Sequence, residues 1–196
     1  PKEYFRRLTM EEVEMKMQIA PLISRYEKLG KRIKTLKNWY KDSQKHSKYI
    51  EELVKVYRRE REEVGMKISK KIDDIPLYRR ILEVIGLKSS TELAILLAFI
   101  DPAHSKNEIV GYCKSNKRVN MHLSTLANNI YVMAIKNRRV SEKYKKLVET
   151  WKSKKLPKRK ILSKIKTQII KDIRQTYLLY SKQQTTETIS IGACWS

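Results

Sequence analysis

Glycine and proline are scarce, with five of each in 196 residues. So few turn formers argue against a fold of many tight hairpins and suit long helices joined by short loops. Cysteine is scarcer still. Cys113 and Cys194 lie far apart, which excludes a disulfide framework and gives no sign of secretion. Long apolar runs are missing. The longest, at 93–100, is too short for the roughly 18 residues a membrane span needs, so no membrane partner is expected. No signal-peptide pattern is visible, and a cytoplasmic, nucleoid-associated setting is expected. The chain opens on Pro1 rather than Met, as a fragment or a processed chain would. Acidic residues are also few: 21 Asp and Glu stand against 44 Lys and Arg, for a net charge of +23 and a pI of about 10.0.

What is present is a folded composition, 41% hydrophobic and 33% charged. An excess of +23 repels itself and is expected to answer a polyanion, DNA or RNA before anything else. Its distribution supports that reading over a merely solvated surface. Residues 136–174 hold 16 Lys or Arg and three acids. Residues 22–75 also hold 16 Lys or Arg, but with nine acids among them.

Read in order, Thr9 and Glu12 form a T-x-x-E capping box, so a helix is expected from about Met10. Pro21 is expected to interrupt, kink or restart it. Leu22, Tyr26, Leu29, Ile33, Leu36 and Tyr40 then follow an a/d heptad seam. A polar turn is expected at 41–47. A second seam runs through Ile50, Val54, Tyr57, Val64, Ile68 and Ile75, interrupted by Arg61 and Lys71. The two seams can pair within one chain as a hairpin, pair across a dimer, or pack on the downstream domain.

Residues 75–120 are the least charged long segment. Pro76 should open a helix that Gly86 closes with a left-handed cap. Ser89 with Glu92, and Ser105 with Glu108, form two further capping boxes, and Asp101-Pro102 separates them. A basic loop is expected at 115–118. Three helices should come after it, the last starting at Leu156-Pro157 with Ile161, Ile165, Ile169, Ile173 and Tyr177 at four-residue steps. Residues 183–196 are expected to form a tail.

Two features carry binding chemistry. The first is the helix, glycine turn and helix at 84–98, the shape of a helix-hairpin-helix motif. Such a turn offers backbone N–H groups and a helix N-terminus to a phosphate. Gly86, Lys88, Ser89, Ser90 and Thr91 are its candidate residues. The second is the basic face that includes Arg138, Arg139, Lys154, Lys155, Lys158, Arg159 and Lys160, with Lys143, Lys164 and Lys166 nearby; Lys117 and Arg118 sit in the earlier basic loop. Lys and Arg on phosphates supply affinity and salt sensitivity rather than sequence choice. No metal and no cofactor is expected. His104, Cys113 and His122 lie nine apart, unlike the close pairs of metal sites, and read as a core cysteine and two surface histidines. Glu92 and Glu108 read as capping residues. No Ser/His/Asp arrangement stands out. Ser115, in the basic loop, is the weak candidate for a nucleophile, and no catalytic residue is assigned.

The order of these parts resembles the C-terminal half of DEDD-type insertion-sequence transposases, relatives of the Piv invertase and of the bridge-RNA-guided recombinases. There a coiled coil leads into P-L-x-x-x-L-x-x-I-P-G-I-G-x-x-T-A-x-x-L-L-A-x-I-x-D. Pro76, Leu77, Leu82, Ile85, Gly86, Leu87, Thr91, Leu96, Leu97, Ala98, Ile100 and Asp101 stand in for that pattern. The segment 105–112 is similar to the family's F-x-S-x-x-x-L-x-x-Y, and 116–123 to its K-x-G-N-x-x-L-R. Lys88 replaces the second hairpin glycine, Glu92 the usual alanine, and Val119 another glycine. The interval that bears the family's nucleophilic serine is almost absent between Tyr112 and Asn120, and the DEDD domain is missing. The resemblance implies a DNA-binding part of a transposase, apparently truncated, whose activity as an enzyme is uncertain. A nucleoid or viral DNA-coating factor is the alternative.

The expectation is thus an all-α chain: a coiled-coil hairpin arm at 1–75, a helical nucleic-acid-binding domain with a helix-hairpin-helix-like motif at 76–182, and a tail. DNA or RNA is the expected partner, with homodimerisation through the arm.

Overall fold

A computed structural model describes residues 10–42 and 47–192, with side-chain surroundings for 16–41 and 48–183. The fold is all-α. Among the described residues eight helices follow one another: α1 (Met10–Asp42), α2 (Ser47–Ile72), α3 (Pro76–Ile85), α4 (Thr91–Phe99), α5 (Lys106–Ser115), α6 (Lys117–Ile135), α7 (Glu142–Ser153) and α8 (Lys158–Gly192). The chain divides into two compact units, Pro1–Asp73 and Asp74–Ser196. The expected Thr9 cap and residues 193–196 of the tail lie outside the described residues.

The first unit is an antiparallel hairpin of α1 and α2. Its seam closes within the chain: Leu36, Ile50 and Val54 form one buried cluster, flanked by Ile33, Leu53 and Tyr57. Arg25 pairs with Glu60 at 2.6 Å, the Tyr40 hydroxyl donates to Glu51 at 2.9 Å, and Lys71 Nζ donates to Gln18 at 2.9 Å. These three contacts fix the register along the hairpin. Arg61 stays in the seam because its guanidinium lies 3.9 Å from the centre of the Tyr26 ring. Gly30 opposite makes the room, since a Cβ there would sit 3.4 Å from Arg61 Nε. The flat, weakly hydrated guanidinium tolerates such a place far better than an ammonium would.

Pro21 lies inside α1, which runs on through it, so the expected interruption or restart does not occur. A mid-helix proline removes one backbone hydrogen bond and crowds the preceding turn. Ile19 and Ile23 flank Pro21 and are buried, which outweighs the local loss.

The second unit is built on α8, which packs on α3, α5, α6 and α7. Ile161, Ile165, Ile169 and Ile173 form its buried stripe, as their four-residue spacing predicts. The apolar helix α4 packs on α6 and buries Leu93, Ala94, Ile95 and Leu96 completely. The helix ends follow local chemistry. Pro76 opens α3, and Gly86 ends it at φ 82°. The Leu87 N–H reaches back to the Leu82 carbonyl at 2.9 Å, closing a Schellman turn. Ser105 and Glu108 form a complete capping box on α5.

Four expectations change. The cap of α4 is Ser90, not Ser89, with its hydroxyl accepting from the Leu93 N–H at 3.2 Å. That shift frees Glu92 from capping. It is buried and bonded to His122, which is therefore a core residue rather than a surface histidine. The basic loop at 115–118 shrinks to Asn116, which ends α5 and caps α6. Lys117 and Arg118 are thus helical. Residues 183–192 continue α8 rather than form a tail.

Candidate nucleic-acid interface

The candidate residues fall at three places in the second unit. The first joins two segments distant in sequence. Gly86 lies so close to the α6–α7 loop that a Cβ on it would sit 2.2 Å from the Ser141 nitrogen. The Ser141 N–H also donates to the Ile85 carbonyl at 2.8 Å, capping the end of α3. Gly86 therefore serves packing, and its close approach holds the loop that carries Arg138 and Arg139 against the end of α3. Both arginines are exposed. Asn137 precedes them with φ 47°, a conformation Asn adopts more readily than most residues.

Within that turn the backbone is largely committed. The Tyr78 hydroxyl donates to the Ser90 carbonyl at 3.2 Å and accepts from the Ser90 N–H at 3.1 Å. Tyr78 is completely buried, so it anchors the turn from beneath. Lys88 and Ser89 stay exposed in front of the α4 N-terminus, while Ser90 and Thr91 are half-buried.

The second place is the start of α6. Lys117 and Arg118 occupy its first turn, which has no acidic residue. The Asn116 side chain accepts from the Arg118 N–H at 3.0 Å and the Val119 N–H at 3.2 Å. The Arg118 guanidinium lies 4.8 Å from the Phe99 ring centre.

The third place is the α7–α8 turn. Lys154 and Lys155 come directly after the end of α7, with Lys155 at φ 52°, and all of 152–155 are exposed. Cations there suit the negative end of a helix dipole. Lys158, Arg159 and Lys160 do not. They fill the first turn of α8, where no acid is present. Like charge at a helix N-terminus costs roughly 0.3–1 kcal/mol per residue when exposed. That cost is removed when an anion binds.

Not all of the basic face is available. The Lys143 ammonium pairs with Asp172 at 2.5 Å, and Lys145 pairs with Glu142 at 2.8 Å. Asp172 is buried and also accepts from Tyr144 at 2.9 Å and from Gln168 at 2.8 Å. This network ties α7 to α8, and burial together with the Asp172 carboxylate raises the Tyr144 pKa far above the ordinary phenol range. Lys164 lies 5.8 Å from the Trp151 ring centre, so that aromatic is engaged locally. Among the described residues of 136–174, no other Lys or Arg has a carboxylate within 4.0 Å. That leaves the candidate cations Arg138, Arg139, Lys154, Lys155, Lys158, Arg159 and Lys160 without one.

The Ser115 hydroxyl donates to the Tyr112 carbonyl at 3.0 Å, a common contact at a helix end. Cys113 is buried, and burial raises its thiol to a pKa of about 11, so it is held as the unreactive thiol. Among the described residues, no three His, Cys, Asp or Glu side chains are grouped to hold a metal ion. Among them also, no helix is long and apolar enough to cross a membrane. Sequence reasoning missed three contributors: Tyr78 under the turn, the Glu92–His122 pair, and the capture of Lys143 by Asp172. Each depends on partners 12 to 30 positions away, and no local pattern announces them.

No protein-family profile, curated protein or solved structure matches this chain.

Proposed function

We propose that the chain binds nucleic acid through its phosphate backbone, using the helical unit after the arm. Its partner is DNA engaged in transposition or recombination, and the chain acts as the DNA-gripping C-terminal part of a DEDD-type transposase. The observation that supports binding most strongly is charge placed against the helix dipole. Lys158, Arg159 and Lys160 open α8, and Lys117 and Arg118 open α6, with no acid in either first turn. Folding alone disfavours that arrangement, and a bound polyanion reverses its sign. The order of motifs from Pro76 to Tyr177 supports the transposase assignment.

A non-enzymatic DNA-coating role is the second reading, and one observation favours it. Three of the four acids near the hairpin are spent on structure, Glu92 on His122, Asp101 on the Ala103 N–H at 2.9 Å and Glu108 on the Ser105 N–H at 2.8 Å, while Glu83 stays exposed on α3. A strand-transfer assay with divalent metal separates the two, because product formation favours the enzyme.

Dimerisation through the arm belongs to the same proposal. The seam is occupied within the chain, so a second copy would use the outer face of α2, where Tyr49, Val56 and Met66 are exposed. Nucleoid association is the corollary of the proposed partner. The direct test is fluorescence anisotropy with labelled duplex DNA, single-stranded DNA and RNA. Affinity for duplex should fall at least 100-fold between about 50 and about 200 mM salt. A flat response, or no binding, rejects the proposal.

A further inference from the structure

Helices α6 and α8 run antiparallel. Lys166 Nζ donates to Asn120 Oδ1 at 3.0 Å at one level. At another, Lys158 Nζ lies 5.4 Å from the Tyr131 ring centre. Between these levels is a groove of about 620 Å³ lined by Ser124, Lys158, Arg159, Leu162, Ser163 and Lys166. Three cations and two hydroxyls meet there, and no acid lines it.

Lys166 is the unusual member. It is half-buried, and its polar partner is a neutral amide oxygen. The Ser124 hydroxyl donates to the Asn120 backbone carbonyl at 2.5 Å and lies 3.4 Å from the same Oδ1 that Lys166 reaches. Burial lowers the Lys166 pKa, opposed only by Cys113. A partly desolvated ammonium without a counter-charge is costly, and an anion beside it removes the cost. The groove also receives the start of α8. The Pro157 carbonyl accepts from the N–H groups of Lys160 at 2.9 Å and Ile161 at 3.2 Å. The N–H groups of Lys158 and Arg159 precede these and have no intrahelical acceptor, as in any helix.

We infer that this groove seats one phosphate group, held jointly by Lys158, Arg159 and Lys166, with the Ser163 hydroxyl and the first N–H groups of α8 as further donors. The site rests on the nucleic-acid reading above and deepens it. One phosphodiester of the bound strand has a built seat, while the loop cations make diffuse contacts. The volume exceeds a single phosphate and leaves room for the adjoining sugars. Lys166 supplies what a diffuse basic surface lacks, a cation fixed in position by Asn120.

The test uses the full chain and the variants Lys166→Met, Lys158→Met/Arg159→Met, and the triple combination, with folding checked by circular dichroism. Three cations on one phosphate act as a unit. The triple variant should therefore lower the slope of log affinity against log salt by about 1, the value for one phosphate, although three charges are gone. Lys166→Met alone should weaken duplex binding about 10-fold. A slope lowered by about 3 overturns the shared seat while leaving nucleic-acid binding intact. If the unaltered chain binds no nucleic acid, the functional proposal fails, and amide NMR with inorganic phosphate decides the seat alone. Shifts confined to residues 158–160 and 163–166, and lost in the triple variant, support it. Shifts spread over all basic segments, or none, overturn it.

Discussion

Residues 22–75 of the arm and residues 136–174 of the α7–α8 region hold equal numbers of cations, 16 each, and use them differently. In that arm segment nine acids are interspersed, and Arg25–Glu60 and Tyr40–Glu51 spend carboxylates on the helix pairing. Arg32 and Arg61 lie against Tyr57 and Tyr26. In the later region three acids remain, and two of them are paired, with Lys143 and Lys145. Most of the remaining charge is exposed, with Lys166 and Arg174 half-buried, and at the start of α8 it opposes the helix dipole. Equal cation counts therefore say little. The local supply of acids, and the end of the helix on which a cation sits, separate a solvated surface from a binding face.

The arm and the second unit also differ in their glycines, Gly30 and Gly86, and the largest effect is expected there. Gly86→Ala places a Cβ 2.2 Å from backbone at φ 82°, so one side or the other must move. It should cost about 3 kcal/mol or more in urea unfolding. Gly30→Ala in the arm meets only the flexible Arg61 side chain at 3.4 Å and gains helix propensity, so stability should change by less than about 1 kcal/mol. Equal losses would erase the contrast between a glycine required by packing and one that makes room for a side chain. Two units can unfold separately, so each transition is followed on its own.

Ion pairs come next. Asp172→Asn strands Lys143 and weakens the bonds from Tyr144 and Gln168 in a buried place. A loss of about 2 kcal/mol is expected. Glu60→Gln in the exposed arm pair should cost no more than about 0.5 kcal/mol. A reversal of that order by chemical denaturation would mean that the arm, not the α7–α8 network, depends on its charges.

The binding contrast is smaller. Arg138→Ala with Arg139→Ala should weaken duplex binding about 10-fold, since both lie on the loop held against the end of α3. Arg58→Ala with Arg59→Ala on α2 should weaken it less than about 2-fold. Matching losses would move the interface onto the arm.

The smallest effect is a pH dependence. Hydrogen bonds from the Ser105 side chain and backbone lower the Glu108 pKa. A carboxyl whose folded pKa is depressed adds stability above its unfolded pKa, and that stability is lost as pH falls through the folded value. Ser105→Ala should flatten the acid limb of the stability curve slightly. An unchanged limb would mean that the capping box is idle.

Much of this architecture was legible. Pro76, Gly86, Ser105 with Glu108, and the isoleucine steps of α8 each act within a few residues, so they mark helix ends and a buried face directly. What was not legible depends on distant partners. Pro21 looks like a helix breaker until Ile19 and Ile23 beside it are seen to be buried. Glu92 looks like a cap until His122 is found against it. Gly86 reads as a phosphate turn, yet its hydrogen-only face is covered by Val140 and Ser141. The cations of the candidate interface were visible as residues, but nothing local said that Asp172 removes Lys143 from it.

The central claim is that affinity for nucleic acid lies in the second unit. Salt-titrated duplex binding of two full-length variants tests it most directly. In one, Lys88, Arg138, Arg139, Lys154 and Lys155 become Gln; in the other, Lys28, Lys31, Lys34, Lys37 and Lys55 of the arm do. The first should lower the slope of log affinity against log salt by about 3 or more, and the second by less than about 1. A slope lost equally to both, or mainly to the arm, would contradict the account.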